Sequence, residues 1–220
     1  MRERGHWLFA AWYDRVNGQV EREILGARRA RLLAGLEGEV LDVGAGTGAN
    51  LPYFEKASRV VAAEPDPAMR RRLTAKLGTA RVPVEVTADT AEALGHGDAS
   101  FDAVVFTMVL CSVPGPDRAL AEARRVLRPS GRLIVLEHVR GDGGLARWQD
   151  RMTPLWSRVA AGCHLGRETG AAIERAGFSL EQSEYFSPYP RWVVAQPLLQ
   201  AVARRPDAAS AQPGTGAVGG

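Results

Sequence analysis

The segment VLDVGAGTG, residues 40–48, constrains the fold of this chain more than any other. An apolar run leads into the acidic residue Asp42 and then into alternating glycines at positions 44, 46 and 48. Glycine allows the backbone to turn tightly and to approach a ligand closely, and a helix that follows directs its N-terminal amides at the same crevice. The segment therefore predicts a nucleotide-binding turn between a buried strand and a helix.

Two cofactors fit this turn. Gly44, Gly46 and Ala49 satisfy the dinucleotide fingerprint GxGxxG/A, and the acidic residue Glu64 ends the next apolar run. A nicotinamide dinucleotide needs backbone amides around its pyrophosphate, whereas S-adenosylmethionine has no phosphate and presents an ammonium group that the Asp42 carboxylate can attract. Glu64 can accept hydrogen bonds from the ribose hydroxyls of either cofactor. The residue pattern favours S-adenosylmethionine over the dinucleotide.

Short apolar runs alternate with amphipathic ones along the rest of the chain. We predict strands over 39–43, 59–63, 82–87, 101–106 and 131–137, helices over 49–55, 66–77, 90–94, 116–127, 145–161 and 167–176, and closing strands over 178–186 and 192–195. Such alternation predicts an α/β fold with a doubly wound, Rossmann-like, mostly parallel sheet of seven strands.

The two ends of the chain differ from this alternation. Apolar residues at helical spacing predict an N-terminal helical cap over residues 1–36, broken near Asn17 and Gly18. The sheet domain that contains the nucleotide-binding turn is expected over 37–204. Residues 205–220 are rich in Ala, Pro, Gly and Ser, which cannot form a core, so a disordered tail is expected there.

Composition and charge exclude several classes of function. The chain of 220 residues is 45% hydrophobic with a net charge of +3, so we expect a globular domain and no nucleic-acid partner; the arginine clusters 28–31 and 70–72 are interpreted as solvated helix faces. Cys111 and Cys163 lack metal-ligand spacing, so they are interpreted as reduced thiols, with no metal site. No transmembrane segment or signal peptide is recognised, and a cytoplasmic location is expected.

An ordered series of motifs resembles the class I S-adenosylmethionine-dependent methyltransferases. The motifs are VLDVGAGTG, VVAAEPDP (60–67), ADTAEAL (88–94), SFDAVVFTMVLCSV (100–113) and RRVLRPSGRLIVLEHV (124–139). Within that superfamily the chain is most similar to the animal thiol S-methyltransferases and their bacterial relatives, on residues 46–50, 109–113, 137–139 and 162–168. This resemblance covers roughly residues 20–200.

The resemblance implies a set of cofactor contacts. Asp42 and the glycine-rich turn would hold the methionine part, Glu64 would bind the ribose, and Asp89 and Thr90 would lie beside the adenine. Pro65 and Asp66 would cover the other adenine face. The full predicted cofactor set is Asp42, Gly44, Ala45, Gly46, Gly48, Asn50, Glu64, Pro65, Asp89, Thr90 and Thr107.

The methyl acceptor is expected beyond the carboxyl ends of the fourth and fifth strands, because ligands of such sheets bind at that edge. His138 is predicted as a general base, and the alternative is a histidine satisfied by neighbouring backbone. Arg167 is expected either to anchor an anionic group or to pair with Glu168 or Glu174. The predicted substrate-binding set, partly an apolar stripe at helical spacing, is Cys111, Trp148, Met152, Trp156, His164 and Arg167.

These expectations define one leading function and its rivals. Methyl transfer from a preactivated sulfonium requires mainly alignment and exclusion of water. We therefore expect transfer from S-adenosylmethionine to a small, fairly apolar acceptor, a thiol first, with S-adenosylhomocysteine as product. An oxygen, nitrogen or carbon acceptor on a quinone precursor, lipid or secondary metabolite is the alternative. A nicotinamide-dependent oxidoreductase and a non-catalytic S-adenosylmethionine-binding module are the remaining rivals.

Overall fold

The computed structural model describes residues 25–160, 162–190 and 192–207. Within them, a seven-stranded sheet has the order β3-β2-β1-β4-β5-β7-β6. The strands are β1 (Glu37–Val43), β2 (Lys56–Ala63), β3 (Val84–Thr87), β4 (Phe101–Thr107), β5 (Leu127–His138), β6 (Ser179–Phe186) and β7 (Leu198–Arg204). The helices are α1 (Gly26–Leu33), α2 (Pro67–Ala75), α3 (Pro116–Val126), α4 (Gly143–Val159) and α5 (Thr169–Arg175), with 3₁₀ turns at Leu51–Tyr53 and Leu77–Thr79.

Both faces of the central strands are covered, which explains their continuous apolar sequence. In β4, Val104 and Phe106 pack into one core with residues of α3 and α5. Their neighbours Ala103 and Val105 point to the opposite face, where they pack into a second core with leucines of α1. The two cores therefore hold helices on both sides of the sheet.

Local sequence fixes where the flanking helices begin. The Asp66 side chain accepts hydrogen bonds at 2.8 Å from the amides of Ala68 and Met69, and Pro67 occupies the first turn of α2. Helix α3 likewise begins at Pro116. The cap at Asp66 starts α2 soon after Glu64. The Glu64 carboxylate therefore lies at the edge of the sheet.

The topology confirms the predicted doubly wound fold. Strands β1 to β5 run parallel, and β7 runs antiparallel between β5 and β6. The strand order reverses between β1 and β4, which defines the switch point where such sheets bind ligands. Asp42 lies in β1, Thr107 ends β4 and His138 ends β5, so all three belong to the carboxyl edge of the sheet.

Two predicted helices were wrong. The helix predicted over 49–55 is only the 3₁₀ turn Leu51–Tyr53, because Pro52 removes an amide donor and restricts the backbone. The helix predicted over 90–94 is a turn closed by a bridge between Thr90 and Ala93. The chain after β1 and after β3 is therefore less helical than the sequence pattern indicated.

The last predicted strand was also misplaced. Residues 192–195 form no strand, and Trp192 is 80% exposed. Strand β7 instead spans Leu198–Arg204, where Leu199, Ala201 and Ala203 are buried in strict alternation. The strand forms where every second residue can be buried, and the large apolar residues at 192–194 do not provide that pattern.

Parts of the predicted cap and tail lie outside the described residues, namely 1–24 and 208–220. Helix α1 is the part of the predicted cap that can be described. Among the described helices, none has both the length and the apolarity required to cross a membrane.

Candidate active site

The glycine-rich turn leaves β1 with left-handed backbone conformations. Gly44 has a φ of +66° and Gly46 a φ of +58°, and the amide of Gly44 donates to the carbonyl of Ala63 at 2.8 Å. A Cβ atom on Gly44 would lie 2.6 Å from Val109 Cγ2, whereas one on Gly46 would meet only the Gly44 carbonyl oxygen, at 3.9 Å. The turn therefore packs against protein at Gly44 and opens into the crevice at Gly46.

This difference predicts separable effects of alanine at the two positions. Gly44→Ala should lower the free energy of unfolding by about 2–5 kcal/mol, since left-handed strain and overpacking against Val109 add together. Gly46→Ala should cost only about 1–2 kcal/mol, because only the backbone strain applies. Its methyl group should nevertheless weaken cofactor binding. Chemical denaturation and calorimetry measure the two effects, and equal stability of the two variants would contradict this geometry.

Asp42 is completely buried at the carboxyl end of β1. Asn50 Nδ2 donates to Asp42 Oδ1 at 2.7 Å and to Thr107 Oγ1 at 3.0 Å, whereas Asp42 Oδ2 is buried without a hydrogen-bond partner. Burial raises the pKa of Asp42 to about 7, although the Asn50 hydrogen bond and the positive charge of Arg29 act in the opposite direction. The buried carboxylate thus has one oxygen available to a cationic ligand.

Arg29 of α1 completes this buried network, and sequence reasoning missed it. It is 3% exposed and donates to Thr107 Oγ1 at 2.8 Å and to Asn50 Oδ1. The expectation that the arginine cluster 28–31 is a solvated face is therefore wrong at Arg29. The signal was available, because Arg29 lies four positions after Leu25 and three before Leu32, both of which are buried.

Glu64 connects the turn after β1 to the segment after β2. Its Oε2 accepts from the Gly46 amide and its Oε1 from the Asp66 amide, both at 2.8 Å. Burial raises the pKa of Glu64, and these two amide bonds oppose the shift. Each carboxylate oxygen retains a further lone pair that can accept from a hydroxyl group.

The residues predicted beside the adenine lie at the neighbouring strand ends. Asp89, after β3, accepts from Thr87 Oγ1 at 3.0 Å and lies 3.4 Å from His96 Nε2. Thr90 and Pro65 are exposed. Asp89 is partly exposed, whereas Asp42, Asn50 and Thr107 are buried.

Glu137 is buried and acts on the loop after β4. Its Oε1 accepts from the amides of Val109 and Leu110 at 2.7 and 2.8 Å, and its Oε2 accepts from the Cys111 amide at 3.2 Å. Burial raises the pKa of Glu137, and the three amide bonds oppose that shift. Although Glu137 lies at the carboxyl end of β5, both of its carboxylate oxygens accept hydrogen bonds from the main chain of this loop.

The segment after α4 is fastened to the same loop. The Arg167 guanidinium donates to the carbonyls of Leu110 and Val113 at 2.7 and 2.6 Å. A contact of Arg167 with an anionic group of the acceptor stays a prediction. Burial lowers the pKa of Arg167. The amide of His164 donates to the Cys111 carbonyl at 2.7 Å, while the His164 side chain is exposed. Residues 164–167 therefore position the loop.

Two thiols and an imidazole meet at this junction. His138 Nδ1 lies 4.0 Å from Cys111 Sγ and 3.7 Å from Cys163 Sγ. The Cys111 thiol donates toward Cys163, which raises the pKa of Cys111 well above its usual range and lowers the pKa of Cys163. Both cysteines are free thiols. Their separation along the chain gave no indication of this cluster, because the packing of α4 and the following segment creates it.

Known proteins are similar to this chain in sequence and in architecture. Residues 41–135 match the family described as "Methyltransferase domain". The human thiol S-methyltransferase TMT1B (Homo sapiens) is 38% identical over 201 residues, which are 87% of this chain and 82% of that protein. The chain belongs to the class I S-adenosylmethionine-dependent methyltransferases.

Solved structures agree with the fold of the methyltransferase. A Bacillus halodurans protein assigned as a methyltransferase has a TM-score of 0.68 at 20% identity, over 82% of this chain and 98% of that one. The Burkholderia thailandensis 1,6-didemethyltoxoflavin-N1-methyltransferase, solved with S-adenosylhomocysteine bound, has a TM-score of 0.61 at 24% identity, over 90% and 86% of the two chains. The cofactor is S-adenosylmethionine, and the dinucleotide alternative is set aside.

Helix α4 of the methyltransferase covers part of the predicted acceptor region. Met152 and Trp156 pack against Cys111 and Cys163, as the apolar stripe predicted. Trp148, in contrast, is 48% exposed and lies outside this cluster. Trp156 Nε1 is buried with no partner at hydrogen-bond distance, although its N–H is near enough to Cys163 to help lower the pKa of that thiol.

A buried glutamine that the sequence did not single out anchors α4. Gln149 accepts from the Gly141 amide at 2.8 Å and donates to the Gln196 carbonyl at 2.8 Å. It also donates to the carbonyls of Val139 and Val194. These bonds join the helix to the end of β5 and to the entry of β7, so the cover over the cysteines is rigidly attached.

Proposed function

We propose that the methyltransferase transfers a methyl group from S-adenosylmethionine to the sulfur of a small, fairly apolar thiol. The observation that carries this proposal is the 38% identity to a thiol S-methyltransferase across most of both chains. The apolar cover of Met152, Trp156 and Leu165 over the end of β4 supports an acceptor with little charge. The products are a methyl thioether and S-adenosylhomocysteine.

The buried polar network fits the amino-acid part of the cofactor. Asp42 Oδ2 lacks a partner and would accept from the ammonium group, which restores the charge balance of a buried carboxylate. Arg29, held beside it by Asn50 and Thr107, provides the cation that a carboxylate requires. When bound, the cofactor supplies a methyl group on a positively charged sulfur, which is an electrophile without further activation.

The remaining predicted contacts follow the carboxyl edge of the sheet. Glu64 would accept from the ribose hydroxyls while it holds the Gly46 and Asp66 amides. Asp89 and Thr90 would bind beside the adenine. The methionine part of the cofactor would thus lie in a buried, charged environment at β1, and its adenine in a more exposed one at β3.

The chain's own groups then have to align the thiol and remove its proton. A free thiol has a pKa of about 8.5, so only a small fraction is thiolate near neutral pH. His138, at the end of β5, is the proposed proton acceptor, and Trp156 and Met152 exclude water around it. A cover held rigidly over this edge of the sheet would align the thiol with the methyl carbon.

Matched acceptors test the proposal. Release of S-adenosylhomocysteine should be measured with pairs that differ only in the acceptor atom, such as an alkyl thiol and its alcohol, or thiophenol, phenol and aniline. We expect turnover with the thiols that exceeds turnover with the oxygen and nitrogen analogues by at least about 100-fold, because the sulfur nucleophile ionises far more readily. Faster turnover of a phenol, amine or quinol would overturn the thiol acceptor and favour the alternative acceptors.

A further inference from the structure

We propose that Cys111, His138 and Cys163 form a zinc site with one open coordination position. Sγ of each cysteine and a ring nitrogen of His138 all lie within 4.8 Å of one another. In tetrahedral zinc sites, bonds of about 2.3 Å to sulfur and 2.0–2.1 Å to nitrogen place neighbouring ligand atoms roughly 3.5–3.8 Å apart. The observed separations of 3.7 and 4.0 Å between His138 Nδ1 and the two sulfurs are close to this arrangement.

The ligand types select the metal. Thiolates favour zinc and cuprous copper over the hard cations magnesium and calcium, and imidazole is a common zinc ligand. Two cysteines and one histidine leave the fourth position of a tetrahedral zinc for water or substrate, which is the pattern of catalytic rather than structural zinc sites. Within the described residues, this is the cluster of potential ligands that the fold brings together.

Independent anchors hold the backbone around Cys111 in place. The Cys111 amide donates to Glu137, and the Cys111 carbonyl accepts from the His164 amide. Arg167 fixes the carbonyls on either side of Cys111. Outer contacts of this kind orient metal ligands and typically contribute 10- to 100-fold to metal affinity. The fold therefore presents a preorganised site in an apolar shell rather than two loose thiols.

Charge and mass balance define the binding step. One Zn²⁺ displaces the protons of both cysteine thiols, so two protons are released and a neutral bis-thiolate centre forms with His138 as the third ligand. No oxidant or reductant is required. In this state Nδ1 of His138 is a ligand, so the zinc-bound protein does not use it as the proton acceptor proposed above, and the acceptor thiol loses its proton to solvent instead.

The open position would bind the thiol acceptor, and this role depends on the proposed function. A thiol acceptor that occupies the position loses its proton to solvent and binds as thiolate, because zinc favours the deprotonated sulfur. Its sulfur then forms a bond to the methyl carbon while the bond from that carbon to the cofactor sulfonium breaks. The neutral thioether binds zinc weakly and leaves with S-adenosylhomocysteine. The ends of β4 and β5, where the ligands lie, form the predicted acceptor edge.

Metal binding is tested without reference to turnover. The purified full chain, reduced and freed of metal, is titrated with Zn²⁺ or with Co²⁺, whose sulfur-to-cobalt absorption reports thiolate ligands. We expect one metal per chain, and at least about tenfold weaker binding in Cys163→Ser and His138→Gln. Glu168→Gln is the control, since that side chain is exposed and lies five positions after Cys163. Unchanged S-adenosylhomocysteine affinity in every variant shows that each one is folded.

The outcomes separate this proposal from the proposed function. No thiolate absorption with Co²⁺, or undiminished binding in the double variant Cys111→Ser/Cys163→Ser, overturns the zinc site even if thiols are methylated. Metal binding without methylation of any thiol retains the site and overturns the thiol acceptor. Metal binding with thiol turnover that survives complete removal of zinc overturns the open-position role. Turnover lost on zinc removal and restored by Zn²⁺ supports both.

Discussion

Replacement of Asp42 by asparagine is expected to weaken S-adenosylhomocysteine binding by about 10- to 150-fold, the loss of one charge-assisted hydrogen bond of roughly 1.5–3 kcal/mol. The same variant should stabilise the cofactor-free protein. Asp42 is fully buried with one oxygen lacking a partner, so its negative charge is a cost until a cation binds. Asparagine retains the acceptor for Asn50 without that charge.

The stabilisation should depend on pH in a defined direction. The folded-state pKa of Asp42 is about 7, above the ordinary value of 3.8, so the folded protein binds the proton more tightly than the unfolded chain does. The stability from the protonated carboxyl is complete below about pH 4 and is lost as the pH rises through about 7. Near pH 8, Asp42→Asn should therefore gain up to roughly 4 kcal/mol over the wild type, and near pH 4 little.

Thermal and chemical unfolding at several pH values, combined with calorimetry of S-adenosylhomocysteine binding, measure both effects. Asp150→Asn is the matched control, because Asp150 is an exposed aspartate paired with Arg140 and lies away from the network. It should not change cofactor affinity. Arg140 lowers the pKa of Asp150, so this variant should alter the pH dependence of stability only in acid, below about pH 4, and leave the slope between about pH 5 and pH 8 unchanged. Wild-type affinity in Asp42→Asn would remove Asp42 from the proposed cofactor site.

Glu137→Ala is expected to have the largest effect on stability. Three backbone amides, of Val109, Leu110 and Cys111, lose their acceptor together in a buried environment. Each unsatisfied buried donor costs about 1–3 kcal/mol, so a loss of roughly 3–5 kcal/mol in the free energy of unfolding is expected after partial relaxation. Because the loop carries Cys111, zinc affinity and turnover should fall as well.

Two further variants show whether the loss of stability in Glu137→Ala comes from the unsatisfied amides. Glu137→Gln keeps one carbonyl oxygen for the amides of Val109 and Leu110 and should lose only about 1–3 kcal/mol. Glu181→Ala removes an exposed glutamate paired with Arg204 and should change stability by less than about 1 kcal/mol. Urea denaturation resolves these differences. Equal stability of Glu137→Ala and Glu181→Ala would show that the amides find other partners.

The cofactor edge could be predicted from sequence because its determinants are local. Asp42 and the glycines occupy consecutive positions at a strand end, and Glu64 ends the next strand, so parallel pairing of β1 and β2 brings them to one edge. The superfamily and the cofactor, inferred from ordered motifs, are confirmed by the relatives. Which side chains contact the cofactor remains a prediction.

Other features depend on tertiary packing that sequence patterns do not encode. Arg29 lies at helical spacing from buried leucines, but the run of arginines around it favoured the interpretation as a solvated face. The orientation of Glu137 toward backbone amides, rather than toward the crevice, follows from the path of the loop after β4. The approach of Cys163 to Cys111 follows from the segment after α4, which the His164 amide and Arg167 attach to that loop. No local spacing predicts such a contact.

The proposed reaction is transfer of a methyl group from S-adenosylmethionine to a thiol sulfur. Purified protein incubated with S-adenosylmethionine that carries an isotopically labelled methyl group, together with an alkyl thiol, tests it most directly by mass spectrometry of the product. We expect a labelled methyl thioether in one-to-one ratio with S-adenosylhomocysteine, and at least about tenfold less of it with Asp42→Asn at low cofactor concentration. Bound cofactor with no label on any thiol, under conditions where another acceptor is methylated, would contradict it.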